Sequence, residues 1–412
     1  MIPASFPPSP AAPVAPRQQV LGAAAVLLAF SLSLPTASGS VATVLFLLAW
    51  LTAGGWHLQW QRWRASPTAI WATALLGMFL LGMSYSSAST ADLGNFAGKY
   101  AKLLLLPAIV AGLVDANWRR RALLAFLVGT VLASTLSYAR FAGWIPERYA
   151  SHVVQGHIHF GVIEAFAAYW FARMACERGP RRWLLALLAA LLAFDVIYID
   201  IARTGYVVLF ALIVLLAAQR LGRKGVVVGA ATALALALVA FTAFPIARTR
   251  LEQGWQNLRQ YQRIEATHRG TLADNSLGLR LQFWRNTLRI IEHRPLLGSG
   301  TGSLPEEYGR IAPHDLRTSN PHNEYLNTTE QLGLVGLVLL LGFGVAAWRE
   351  SHRLQPAQRD AAHAVLASIA VGSLFNSLLM DVNEGRFLVV MLGLLLAAAS
   401  SDLERGRGRH TF

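Results

Sequence analysis

Long apolar segments separated by short polar connections run along most of the chain. A helix needs about 20 mostly apolar residues to cross a hydrocarbon core of about 30 Å. Strands of a membrane barrel would instead alternate between apolar and polar residues over about ten positions. The pattern therefore predicts an all-α integral membrane protein with about twelve transmembrane helices. The predicted spans are residues 19–36, 39–57, 68–85, 96–114, 121–141, 156–176, 183–201, 204–219, 226–244, 325–348, 362–380 and 386–401.

One connection is much longer than the others. Residues 245–324 are too long for a simple connector and contain two helical segments, and a loop of this length usually has a function. The second helical segment has one apolar stripe, formed by Leu277, Leu281, Trp284, Leu288 and Ile291. We expect this segment either to pack against the helix bundle or to lie on the membrane surface.

This pattern divides the chain into a membrane part and polar parts. The predicted order is a disordered cytoplasmic tail (1–18), helices one to nine (19–244), a large and partly helical outer loop (245–324), helices ten to twelve (325–401) and a second cytoplasmic tail (402–412).

Composition and charge agree with a membrane protein. Hydrophobic residues make up 54% of the chain and charged residues 14%. The net charge is +14, but the arginines fall in short clusters between apolar runs, where they orient the helices, so nucleic-acid binding is not expected. The clusters predict that both termini are cytoplasmic and that the large loop is outside. Cys176 is the only cysteine, which excludes an intramolecular disulfide and a thiol-rich metal site.

The strongest local signal for chemistry is SNPHNEYLNTTEQLGLVG, residues 319–336, where the large loop meets the tenth span. We expect Asn320 or Ser319 to cap this helix, with Pro321 and His322 in its first turn. The free N–H groups there favour an anion and the neutral form of an imidazole. His322 is thus suited to act as a general base. The alternative is that His322 only helps to cap the helix.

Two arginines on the same outer side add to this picture. Arg203 lies in DIARTGY, nearly at membrane depth, where an ionised group usually has a partner or a task. It either pairs with Asp200 or holds phosphate oxygens with its planar guanidinium. Arg280 lies in LGLRLQFW and borders the apolar stripe. Two arginines and His322 at one water–lipid boundary are typical of a site for a lipid-linked pyrophosphate.

Weaker candidates surround these three residues. Four basic residues either add positive charge around a diphosphate or snorkel to the interface, namely Lys99, Lys102, Arg140 and Arg148. Glu324 either orients His322 or acts as an alternative base, and Asn323 is a candidate substrate contact. His157 and His159 do not share a helix face, so we expect no metal site there. The chain has neither a P-loop nor a dinucleotide-binding glycine pattern, and no cofactor is expected.

From His322 the sequence reads H-N, nine residues, then Gly333-Leu-Val-Gly336. This resembles the H-[N/S/Q]-x9-G-x-x-G motif of O-antigen ligases. The preceding HRPLLGSGTGS, residues 293–303, is similar to the P-x-x-G-x-G segment of that superfamily, and ARTGY resembles its arginine turn. The family's R-x3-L pattern has Leu where this sequence has Val207.

The resemblance implies a glycosyltransferase with a GT-C type fold in the inner membrane of a Gram-negative bacterium, with its active site in the periplasm. The expected donor is an O-antigen linked to undecaprenyl pyrophosphate, the acceptor is a sugar hydroxyl of lipid A-core, and membrane lipids surround the protein. Transfer would invert the anomeric carbon without a metal. Arg203 and Arg280 would stabilise the departing pyrophosphate, and His322 would deprotonate or orient the acceptor hydroxyl.

Other functions remain open at this point. The wider superfamily also includes O-antigen polymerases and protein O-oligosaccharyltransferases, which differ in the acceptor. A transporter or flippase of polyprenyl-linked glycans also needs many spans and a basic outer cavity. Discontinuous helices near the bilayer midplane would favour transport, and the sequence has no clear pair of them.

Overall fold

The computed structural model describes residues 15–145, 157–199, 202–243, 245–267, 276–312 and 317–408. Within these ranges the secondary structure is helical. The α-helices are α1 (Pro16–Phe30), α2 (Thr36–Thr52), α3 (Trp56–Ala65), α4 (Pro67–Gly82), α5 (Thr90–Tyr100), α6 (Leu105–Gly112), α7 (Ala116–Phe141), α8 (His157–Ala175), α9 (Arg182–Phe194), α10 (Arg203–Leu221), α11 (Arg223–Ala243), α12 (Pro245–Thr267), α13 (Ser276–His293), α14 (Leu304–Ile311), α15 (Glu324–Ser351), α16 (Pro356–Gly372) and α17 (Val382–Gly408).

The predicted apolar segments coincide with helices, but fewer of them qualify as membrane spans. Six helical stretches of the described chain are long and apolar enough to cross a membrane, or seven if α2 and α3, bent by 116°, form one span. They are Pro67–Tyr85, Ala116–Phe141, Arg182–Ile199, Arg203–Leu221, Glu324–Ser351 and Val382–Ala399. The all-helical, multi-pass membrane architecture is confirmed. The number twelve and the GT-C type of fold stay predictions.

Several helices depart from the predicted limits. The predicted fourth span is split into α5, a 3₁₀ turn (Ala101–Leu104) and α6. At the ends of the chain, α1 already begins at Pro16 and α17 continues to Gly408, while residues 1–14 and 409–412 of the predicted tails lie outside the described residues.

Polar side chains fix where helices begin. The Ser66 hydroxyl accepts a hydrogen bond from the N–H of Ala69 (3.2 Å) at the start of α4. The carboxylate of Glu350, near the end of α15, accepts hydrogen bonds from the hydroxyls of Ser66 (3.0 Å) and Thr68 (2.6 Å). A buried carboxylate with these donors avoids the cost of an unsatisfied charge. It joins the start of α4 to the end of α15, so these two packed helices run antiparallel.

The core of the bundle is built around α17. The membrane-crossing window of this helix is 89% buried, the largest share among the six candidate spans. The ring of Phe387 on α17 lies 5.9 Å from that of Phe126 on α7 and 5.2 Å from that of Phe166 on α8. Aromatic pairs at such distances add to the packing free energy. The start of α17 is thereby packed against α7 and α8.

The second helix of the large loop packs against the bundle, and its most buried residues lie beside the predicted stripe. Helix α13 contacts α14 and α15. Leu288 of the predicted stripe is 48% exposed, whereas Phe283 and Ile290 are buried against Tyr308 and Leu304 of α14. Helix α14, which periodicity did not reveal, covers the face adjacent to the stripe. The structure therefore shows packing of α13 against its neighbours, while a position at the membrane surface stays a prediction.

Candidate functional site

His322 lies just before α15, not in its first turn. Asn323 is the N-cap, and its side-chain oxygen accepts a hydrogen bond from the N–H of Leu326 (3.1 Å). The prediction that Asn320 or Ser319 caps the helix was therefore wrong. Asn320 has another task, since its side-chain oxygen accepts a hydrogen bond from the N–H of His322 (2.8 Å). His322 has a left-handed backbone with φ of 56°, an uncommon conformation that often marks a functional position.

The imidazole of His322 has an aromatic ring and a positively charged group in its surroundings. The ring of Phe283 stacks on it at a centroid distance of 6.3 Å and an angle of 22°. Burial, followed by the positive charge of Arg280, lowers the pKa of His322 below its ordinary value, while a hydrogen bond with Asn376 raises it. The net shift favours the neutral imidazole, which is the form that can accept a proton.

The two arginines and His322 are neighbours in the structure. Arg203 is the first residue of α10, and Arg280 lies in the first part of α13. Burial lowers the pKa of Arg280, and the positive charge of Arg203 lowers it further. Arg280 thus interacts electrostatically with both Arg203 and His322. An anion bound beside the guanidinium groups would relieve the repulsion between them.

Asn376 connects these groups, and sequence analysis missed it. It lies between α16 and α17, and 1% of its surface is exposed. Its amide nitrogen donates to the Thr204 hydroxyl (2.6 Å), next to Arg203. Its amide oxygen accepts a 3.4 Å hydrogen bond from Arg280, and Asn376 also bonds to His322. A single Asn in the apolar stretch SLFNSLLMD was the only sequence signal.

The segment that carries Asn376 is held by Glu324 and Lys102. We name residues 373–381 the connecting segment. The carboxylate of Glu324 accepts hydrogen bonds from the N–H groups of Leu379 (2.8 Å) and Met380 (3.0 Å). The ammonium of Lys102 donates to the carbonyls of Met380 (3.2 Å) and Asp381. The structure thus places two predicted site residues in internal contacts that fix the connecting segment.

Asn323 also holds the connecting segment, while the remaining candidates lie farther out. The side chain of Asn323 donates to the carbonyl of Leu374 (3.1 Å). Lys99 is half-buried, with its ammonium 4.8 Å from the ring centroid of Phe96. Arg140 is half-buried at the end of α7. Arg148 and Asp200, with the predicted Asp200–Arg203 ion pair, lie outside the described residues.

The glycines of the motif mark a break in α15. At Gly333 the backbone has φ of 64° and ψ of −162°, which only glycine adopts readily. A Cβ atom at this position would lie 2.2 Å from the backbone of Leu296. Gly333 is therefore required both for its backbone conformation and for the close approach of another part of the chain.

That other part is residues 295–303, which we name the glycine-rich segment. The N–H groups of Ser299 and Gly300 donate to the carbonyls of Glu330 (2.8 Å) and Gln331 (2.9 Å), on one side of the break. On the other side of the break, the N–H of Leu334 donates to the carbonyl of Pro295 (2.8 Å). The N–H of Val335 donates to the carbonyl of Leu296 (3.3 Å). These bonds satisfy backbone groups that a broken helix would otherwise leave unpaired in a membrane.

The glycine-rich segment is also tied to the end of α4. The Thr301 hydroxyl donates to the carbonyl of Phe79 (2.6 Å), and its N–H donates to the carbonyl of Gly82 (3.1 Å). The Tyr85 hydroxyl donates to the carbonyl of Leu297 (2.8 Å). The site end of α15 is thus fixed by residues far away in the sequence.

An apolar groove begins at the same end of the bundle. It has a volume of about 470 Å³ and lies between α15 and α16, with Leu215 of α10 on its wall. Tyr325 and Ser373 line it at the site end, and Trp348 and His363 line it at the opposite end of α15. Its size is within the range of ligand pockets, about 300–1,000 Å³.

Part of the chain matches a known protein family. None of the curated proteins matches the chain. Residues 188–341 match the family model described as O-antigen ligase. This range contains Arg203, Arg280, His322 and the broken part of α15, but not Lys102 or Asn376. The match shows that this part of the chain is similar to the O-antigen ligase family, which supports the resemblance found in the sequence.

Proposed function

We propose that this protein transfers a preassembled O-antigen polysaccharide from undecaprenyl pyrophosphate to a sugar hydroxyl of lipid A-core, on the periplasmic side of the inner membrane. The observation that carries the proposal is the surroundings of Arg280. It donates a hydrogen bond to Asn376 (3.4 Å), which in turn donates to Thr204 beside Arg203 (2.6 Å), and the positive charge of Arg280 lowers the pKa of His322. One site thereby combines two fixed positive charges with a neutral base. These are the groups that displacement of a pyrophosphate by a hydroxyl requires.

In the proposed reaction, the neutral imidazole of His322 takes the proton of the acceptor hydroxyl. The hydroxyl oxygen forms a bond with the anomeric carbon of the glycan while the bond from that carbon to the pyrophosphate oxygen breaks. A single displacement of this kind inverts the anomeric carbon. Undecaprenyl pyrophosphate leaves with the bonding electron pair, and Arg203 and Arg280 stabilise the charge that develops on it. The energy comes from the bond between the anomeric carbon of the glycan and the pyrophosphate, which breaks in this step.

The broken helix bears on the alternative of transport. A discontinuous helix in a transporter exposes its free ends to a substrate. In α15 the free backbone groups around Gly333 are bonded to the glycine-rich segment, as by Ser299 and Leu334. The break is thus filled by the protein itself, which supports the transferase proposal over transport.

The test is transfer by purified protein in nanodiscs, with undecaprenyl-pyrophosphate-linked glycan and lipid A-core as substrates and no nucleotide. We expect glycan on lipid A-core. Glycan attached to a second lipid-linked glycan would identify a polymerase, and glycan attached to protein an oligosaccharyltransferase. Movement of the lipid-linked glycan across the bilayer without any transfer would contradict the proposal.

Loss of the Arg280 guanidinium should slow the transfer strongly. We expect Arg280→Ala to lower kcat by about 10²–10³-fold, since removal of one donor to a developing negative charge has an effect of that size. Arg280→Lys keeps the charge but not the paired donors, so its kcat should lie between that of wild type and that of Arg280→Ala. Arg289→Ala is the matched control, because Arg289 is exposed on the same helix. Equal kcat in wild type and Arg280→Ala would remove Arg280 from the mechanism.

The groove offers a place for part of the donor's isoprenoid chain. A Cβ atom at Gly344, which lines the groove, would meet nothing within 4 Å, so Gly344→Phe should fold and fill the groove. Displacing about two methylene groups of a bound chain costs about 1.6 kcal/mol, so the KM for the donor should rise about tenfold. Gly77→Phe is the control, since Gly77 of α4 is equally open but lies outside the groove. An unchanged KM in Gly344→Phe would place the chain elsewhere.

A further inference from the structure

The three groups of the proposed site come from separate parts of the chain. Arg203 begins α10, Arg280 belongs to α13, and His322 precedes α15. Many residues separate these elements in the sequence. A displacement of a catalytic group by about 1 Å can lower an enzyme's rate by about 10²-fold. Some part of the structure must therefore hold the three groups in register.

One side chain contacts all three elements. The amide nitrogen of Asn376 donates to Thr204 (2.6 Å), which follows Arg203 in α10. Its amide oxygen accepts from Arg280, and it is hydrogen-bonded to His322. The backbone on both sides of Asn376 is fixed in turn, because Asn323 bonds to Leu374 and Glu324 bonds to Leu379.

The chemistry of an amide suits this position. An asparagine side chain has both a donor and an acceptor, so it can bind a hydroxyl on one side and cationic N–H groups on the other. A carboxylate here would neutralise a positive charge that the donor pyrophosphate needs. Alanine would make none of these bonds. The buried amide is thus matched to its neighbours in shape, polarity and charge.

We propose that Asn376 is the positioning residue of the site, which orients the Arg280 guanidinium and the His322 imidazole toward each other and toward Arg203. The proposal rests on the transfer function proposed above. It assigns Asn376 no contact with the substrate. The positive charge of Arg280 on α13 lowers the pKa of His322, and the charge of Arg203 on α10 lowers that of Arg280. The carboxylate of Glu324 on α15 accepts hydrogen bonds from backbone N–H groups.

Two substitutions with opposite effects test the proposal. Asn376→Asp keeps the shape but adds a negative charge beside His322, which should raise the pKa of the imidazole by about one unit or more. Asn376→Ala removes the hydrogen bond and should lower that pKa. If the neutral imidazole is the active form, activity falls as the pH drops through its pKa. The acid limb of kcat should therefore move to higher pH in Asn376→Asp and to lower pH in Asn376→Ala.

The split between kcat and KM is the second expected result. In Asn376→Ala kcat should fall by about 10²-fold, as misplacement of catalytic groups predicts, with a smaller change in the KM for the donor. Asn383→Asp and Asn383→Ala are the matched controls, since Asn383 lies in the first turn of α17 and donates to Thr36 instead. Thermal unfolding of each variant is recorded first, so that loss of folded protein is not read as loss of activity.

A measurement without substrate distinguishes the positioning role of Asn376 from the proposed transfer function. The His322 imidazole is titrated by ¹³C NMR of histidine-labelled protein in detergent, with the signal assigned through His322→Ala. Shifts of the His322 pKa in opposite directions in the two folded Asn376 variants support the positioning role even if lipid A-core proves not to be the acceptor. An unchanged titration together with an unchanged acid limb of kcat would overturn it, whether or not wild-type protein transfers the glycan.

Discussion

Replacement of His322 by alanine is expected to lower kcat of glycan transfer by about 10²–10⁴-fold, the usual contribution of a general base. The KM for the donor should change little, because the pyrophosphate is bound by the arginines. The measurement is steady-state transfer by purified protein in nanodiscs, with wild type and variants compared at equal concentrations of folded protein. His293→Ala is the control, since His293 is exposed at the end of α13.

The pH dependence of wild-type protein provides a second check on His322. Burial and the charge of Arg280 lower its pKa below the ordinary value. The neutral base is then present at neutral pH, and activity should decline only when the pH falls below about 6.5. In His322→Ala this decline should disappear from the residual activity. A His322→Ala variant with wild-type kcat, or with the same acid limb, would show that His322 is not the base.

The second large effect is expected on folding, from Gly333→Ala. The backbone at Gly333 is unfavourable for any residue with a Cβ atom, at a cost of about 1–3 kcal/mol. The added methyl would also lie 2.2 Å from backbone atoms of Leu296, and overpacking costs about 1–3 kcal/mol more. We expect a loss of about 2–6 kcal/mol in stability, enough to remove most folded protein from a membrane preparation.

Gly344→Ala is the matched control for this substitution. Gly344 lies on the same helix, and a Cβ atom there would meet nothing within 4 Å. Alanine is favoured over glycine inside a helix by about 0.5–1 kcal/mol, so this variant should be as stable as wild type or more stable. Thermal unfolding in detergent, followed by size-exclusion chromatography, compares the two. Equal melting temperatures in Gly333→Ala and wild type would show that the break in α15 is not needed for the fold.

The helices could be predicted from the sequence because apolar length is a local property. The separation of spans from other helices could not, because it depends on breaks such as the turn at Ala101–Leu104. His322, Arg203 and Arg280 were found as unusual polar residues at apolar boundaries, and the structure brings them together. The cap of α15 was wrongly predicted because Ser319, Asn320 and Asn323 are all good caps, and only the fold decides among them.

Residues whose role depends on distant contacts were not accessible from the sequence. Asn376 is one polar residue between two apolar segments. Its role follows from its hydrogen bonds to Thr204 and Arg280, which lie more than 90 residues away in the sequence. Two interpretations of Lys102 were drawn from the sequence, and neither included its hydrogen bonds to the connecting segment. The motif glycines were recognised by resemblance to a family. The reason that glycine is needed there became clear only from the structure, in which another segment of the chain completes the hydrogen bonds of the broken helix.

The ties between the glycine-rich segment and α4 have a consequence for protein engineering. The family match ends at residue 341 and starts at residue 188, yet carbonyls of Phe79 and Gly82 hold Thr301, and Lys102 holds the connecting segment. A chimera that exchanges residues 188–341 with a relative would therefore separate the reacting groups from their supports. The unit that can be grafted between relatives must also include residues 79–102 and 373–381.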